Sequence, residues 1–202
     1  MKEILIYILV IFSLCSCEKK TTEIEQTFVE IPENIVVLAD TMLSKRQGIL
    51  FYAQKPFSGF VIDKYPNEKL ATQNGYLNGK LEGRQEKWYP GGLKMEIRFY
   101  HDNRKVGRHT GWWENGKIKF EYFIKNNIPI KTHREWYPNG QLFSLSNYNN
   151  AGQPDGTHKM WFETGQIKAN YVIVNGRRFG FLGAKGCMGE NEKKQTGLNL
   201  KK

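Results

Sequence analysis

The sequence predicts an all-β protein: an elongated, single-layer antiparallel sheet built from about five β-hairpin repeats of 24 residues. Aromatic pairs recur as Trp88-Tyr89, Trp112-Trp113, Trp136-Tyr137 and Trp161-Phe162, at spacings of 24, 24 and 25 residues, with Lys64-Tyr65 one period earlier. A glycine ladder of Gly59, Gly83, Gly107, Gly156 and Gly180 runs in the same phase, and Lys131 fills its missing rung. Between the ladders apolar and polar residues alternate, as in residues 93–99 and 118–122. That is the period-two pattern of a half-buried strand. A fixed short period marks an array whose repeats bury their apolar faces against one another.

Composition agrees. Aromatics at 13% and 20 glycines suit many short strands joined by turns. A net charge of +10 excludes an acidic disordered tail protein, and one apolar run, at the N-terminus, excludes a multi-span membrane protein. Three cysteines are too few for a disulfide-stapled miniprotein.

The elements follow in order. Residues 1–16 read as an export signal, with Lys2 ahead of an apolar run over 4–12 that is too short to span a bilayer. Leu14-Cys15-Ser16-Cys17 resembles the lipobox of bacterial lipoproteins. The resemblance implies lipidation of Cys17 and a mature chain that starts there, anchored in the bacterial cell envelope and facing the periplasm or exterior. Residues 17–48 are expected to be a tether, in which 35–38 could form a short strand or pack on the first repeat. Residues 49–182 are the repeat array. Each period supplies two strands, and five Asn-Gly pairs (at 74, 78, 115, 139 and 175) supply the positive-φ residues that tight hairpins need. About twelve strands at roughly 4.8 Å give a sheet on the order of 55 Å across. Residues 183–202 form a basic tail.

Tyr137-Pro138-Asn139-Gly140-Gln141-Leu142 and Asn78-Gly79-Lys80-Leu81-Glu82-Gly83 resemble the bacterial variant of the MORN repeat. The opening stretch over 51–59 looks like the first hairpin of YwqK-like antitoxins. The resemblance covers residues 49–180 and implies a MORN-type sheet and toxin neutralisation. Three departures stand out. Glu68 replaces a turn glycine, one turn residue is missing before Leu93, and residues 128–131 replace the glycine turn after the third repeat.

Two aromatic columns are expected on opposite faces. Trp88, Trp112, Trp136 and Trp161 form a repeat-core column; Tyr65, Tyr89, Trp113, Tyr137 and Phe162 form the candidate binding column. Two readings stand for the second column. It is either further repeat core or the lining of a groove for peptide or glycan. Residues 57–180 carry 19 basic and 11 acidic groups, so contact with anionic lipid or envelope glycan is a further possibility. His109, His133 and His158 repeat at 24 and 25 residues, and are expected at a repeat-inherited polar surface position, with a ladder of pH-sensitive charge as the alternative. Cys187, beside Met188, is incidental, an intermolecular disulfide partner or a soft metal ligand.

No nucleophile, metal-protease or phosphate-loop motif occurs, so the expectation is a non-catalytic module without a cofactor. Its partners are the membrane, through the lipid, and a protein or peptide, a toxin under the family resemblance. Nucleic acid is a poor partner in that compartment. A structural envelope lipoprotein, or thiol and metal handling through Cys187, are the alternatives.

Overall fold

The computed structural model describes residues 29–183. The export signal, Cys17 and the Cys187-Met188 pair lie outside the described residues.

The described chain is all strand and turn, with no helix. Its first strands are β1 (Ile35–Val37), β2 (Leu43–Arg46), β3 (Ile49–Tyr52), β4 (Lys55–Pro56), β5 (Gly59–Lys64), β6 (Leu70–Leu77), β7 (Lys80–Leu81) and β8 (Gly83–Trp88). Then come β9 (Lys94–His101), β10 (Arg104–Trp112), β11 (Ile118–Lys125), β12 (Ile128–Trp136), β13 (Leu142–Tyr148), β14 (Pro154–Trp161), β15 (Ile167–Val174) and β16 (Arg177–Phe181). Thirteen strands form one sheet, ordered β1-β5-β6-β8 and then consecutively to β16, with β7 beside β6. From β5 onward every pair is antiparallel.

The N-terminal end differs from expectation. β1 runs parallel to β5, with Ile35 opposite Phe60, so the large sheet is mixed. Residues 38–58 cross over between the two strands, and a crossover, unlike a hairpin, returns the chain in the same direction. Within that crossover β2, β3 and β4 form a separate three-stranded sheet. The short strand anticipated over 35–38 is present as β1, and residues 29–48, otherwise expected in the tether, belong partly to the folded body. Val36 and Leu43 pack against the core of Leu50, Phe57 and Val61 because their apolar side chains leave water there.

Two kinds of turn alternate. Along one edge lie two-residue turns with both central residues at positive φ: Asn78-Gly79, Asp102-Asn103, Asn126-Asn127 and Asn175-Gly176. This conformation matches the twist of the flanking strands. Along the other edge, turns opened by Tyr65, Tyr89, Trp113, Tyr137 and Phe162 close on Glu68, Gly92, Gly116, Gly140 and Gly165, each at positive φ.

Several turn expectations are corrected. Asn115 and Asn139 do not take positive φ; only the glycines after them do. Asn74-Gly75 is not a turn but lies within β6. Gly75 is there because a Cβ would sit 2.6 Å from Ile31 Cδ1 and 2.7 Å from the Glu82 carbonyl oxygen. Residues 128–131 replace no turn. Asn126-Asn127 turns the chain and β12 starts at Ile128. The turn before Leu93 has full length, since Tyr89 N–H donates to Leu93 O as Tyr137 N–H does to Gln141 O.

Candidate functional site

The expected core column is half-buried: Trp88, Trp112, Trp136 and Trp161 pair across the sheet with Lys94, Ile118, Leu142 and Ile167. A register shift accompanies each, so the strand bends where the turn begins.

The candidate binding column is tied to it. The Tyr65 hydroxyl donates to the Trp88 carbonyl at 2.8 Å, Tyr89 to Trp112 at 2.9 Å, and Tyr137 to Trp161 at 3.1 Å. Trp113 Nε1 donates to the Trp136 carbonyl at 3.0 Å. The polar tip of each residue thus holds the backbone one repeat on. Lys94 lies over the Trp88 ring, Lys119 over Trp113 and Lys168 over Phe162. Phe162 is 47% exposed and ends the column.

The turns stack as well. Asn67, Asn115 and Asn139 each accept from a backbone N–H two residues on and donate from Nδ2 to the next turn, at Pro90 O, Pro138 O and Glu163 O. An asparagine amide suits both tasks because it carries donor and acceptor together.

The histidines correct the expected surface position. His109 is 1% and His158 5% exposed, and His133 is half-buried. They alternate with tyrosines: ring centroids are 6.1 Å apart for Tyr100 and His109, 4.9 Å for Tyr122 and His133, 4.7 Å for His133 and Tyr148, and 5.3 Å for His158 and Tyr171. His109 Nε2 donates to the carbonyls of Phe99 and Val106, and His133 Nε2 to that of Phe123. Burial lowers the pKa of all three. Tyr100, Tyr122, Tyr148 and Tyr171 gave no ladder in the sequence because their spacings of 22, 26 and 23 residues hide it.

Charge on the sheet is organised around carboxylates that each hold two cations. Glu86 meets Arg84 at 2.6 Å and Lys94 at 2.7 Å; Glu96 meets Arg98 at 2.8 Å and Lys87 at 3.0 Å; Glu121 meets Arg108 at 2.5 Å and Arg134 at 3.3 Å. Burial pushes the Glu96 carboxyl up, but Arg98 and Lys87 outweigh it and hold it below the ordinary range. Tyr122 donates to Glu135, and burial with that neighbour raises its hydroxyl well above the usual tyrosine value. Two hollows open on this surface. One, of about 200 Å³, is lined by Gln85, Glu96, Arg98 and Tyr100; the other, of about 470 Å³, lies beside Val29, Glu82, His101 and Asp102. Among the described residues no three His, Cys, Asp or Glu side chains gather as a metal set.

The far end of the sheet is different. Every residue of β16 is exposed, and Phe179 and Phe181 keep 56% and 49% of their surface in solvent.

Comparison with known proteins identifies the repeat. The MORN repeat variant family matches residues 105–126 and 131–150, which take in most of β10 and β12 and all of β11 and β13. No curated protein and no solved structure matches the chain. MORN repeats point to a repeat-based binding module.

Proposed function

We propose that the protein is an exported, lipid-anchored, non-catalytic module that binds a protein or peptide at the cell envelope, antitoxin-like in neutralising an exported effector. The observation that carries this reading is the array itself: hairpins of one pattern in which the tips of Tyr65, Tyr89, Trp113 and Tyr137 and of three turn asparagines join one repeat to the next. Such a sheet is a rigid presenting surface. His109 and His158 are buried and His133 is half-buried, and His109 and His133 donate to backbone carbonyls, which fits a structural role better than proton transfer. With an anchor at Cys17, residues 17–29 reach at most about 40 Å, so the module would work close to the membrane.

Contact with anionic lipid or cell-wall glycan is a second reading, supported by the 19 basic against 11 acidic residues over 57–180. Crosslinking the tagged full-length protein in its own cells, with Cys17→Ser as the unanchored control, tests both. One dominant protein captured by the anchored form is expected. Recovery of envelope polymer alone, released by salt, would replace the first reading with the second.

A further inference from the structure

We infer that the open edge of β16 receives an extended partner segment in which apolar residues alternate with acidic ones. The inference rests on the binding-module reading and names the chemistry of the partner.

The repeat pattern shows what is missing. The glycine-ladder strands β8, β10 and β14, which carry Gly83, Gly107 and Gly156, each pair on their far side with the next strand: β9, β11 and β15. β16 carries the last rung, Gly180, pairs with β15, and ends the path of the sheet. The Asn175-Gly176 turn makes Val174 and Arg177 the closing hydrogen-bonded pair of the hairpin. Alternation then turns the backbone N–H and C=O groups of Arg178 and Gly180 outward, where no strand among the described residues pairs with them.

The side chains set the partner's composition. Phe179 stands opposite Val172 and Arg177 opposite Val174, so Val172, Val174, Phe179 and Phe181 share one face of this hairpin, with Arg177 at its turn end. Val172, Val174, Phe179 and Phe181 are 39%, 50%, 56% and 49% exposed. Arg178 lies on the other face, with its guanidinium 5.6 Å from the Tyr171 ring centroid. Neither Arg177 nor Arg178 meets a carboxylate within ion-pair distance among the described residues, whereas Glu86, Glu96 and Glu121 inside the array each hold two cations. Unpaired arginines at the edge disfavour a second basic copy and favour an acidic strand. Strand addition of this kind takes affinity from main-chain bonds and selectivity from alternate side chains.

The test uses two labelled, capped nine-residue peptides, one alternating valine with glutamate and the other valine with lysine. Binding to the full chain is followed by fluorescence anisotropy at low salt. The glutamate peptide is expected to bind at least tenfold more tightly than the lysine peptide. Arg178→Glu should reverse that order. Arg178→Pro, which removes an outward N–H that an edge strand can spare, should abolish binding of both while the thermal midpoint stays in place. No binding of either peptide, or binding unchanged in both variants, overturns the edge proposal. So does a doubling of mass in sedimentation that Arg178→Pro abolishes, which would assign the edge to a second copy. A dominant protein crosslinked in cells to a part of the array remote from β16 would overturn this proposal and leave the binding module standing.

Discussion

Lys131 occupies a left-handed backbone position, φ 59°, at the rung where the other repeats carry Gly59, Gly83, Gly107, Gly156 and Gly180, all at positive φ. A side chain there costs about 1–2 kcal/mol. Glycine costs about 0.5–1 kcal/mol in extra chain entropy. Lys131→Gly should therefore stabilise the protein slightly, by up to about 1 kcal/mol, read as a higher urea midpoint. Gly111 makes the opposite case. It is not part of the ladder and its φ is unremarkable, yet a Cβ would overlap the Phe120 ring. Gly111→Ala should lower stability by about 1–3 kcal/mol in the same measurement, as overpacking does.

At the scale of the hairpin, stability comes from bonds that cross from one repeat to the next. Tyr89→Phe keeps the ring and removes the donor to the Trp112 carbonyl, so a loss of about 1 kcal/mol is expected in urea unfolding. Phe162, exposed and without a hydroxyl, marks the end of the column. Phe162→Ala should change stability by no more than about 0.5 kcal/mol. No loss in Tyr89→Phe together with a large loss in Phe162→Ala would show that ring packing, not the hydrogen bond, joins the repeats. Asn115→Ala removes both the bond from Lys117 N–H and the bond to Pro138 O, and should be felt in its own turn and in the Tyr137 turn as faster amide exchange.

Across the whole molecule the buried histidines make stability depend on pH. Their folded pKa values lie below the ordinary 6.5, so the unfolded chain binds more protons as the solution is acidified. Stability is therefore complete above about pH 6.5 and falls as pH drops through that value, until the folded histidines themselves protonate. Thermal midpoints measured from pH 8 to pH 5 should decline on the acid side, and His109→Gln should flatten the decline. A midpoint that does not move over this range would rule out the account.

The hairpin array was legible in the sequence because its causes are local. Alternation sets strand faces, Asn and Gly set turns, and a 24-residue period repeats both. The residues of both aromatic columns were legible for the same reason. Tertiary structure decided what the period does not encode. The parallel seat of β1 depends on the crossover of residues 38–58, and Gly75 on the approach of Ile31 from a distant segment. The histidine column repeats in the sequence, but its burial follows from tyrosines that alternate between two positions of the repeat, 12 residues after Trp88 and Trp136 and 10 after Trp112 and Trp161. The lock between the two aromatic columns appears only when Tyr and Trp one repeat apart are brought side by side. Periodicity records the fold because each repeat folds against neighbours like itself; the joining of repeats and the closing of their ends depend on contacts between residues far apart in the chain.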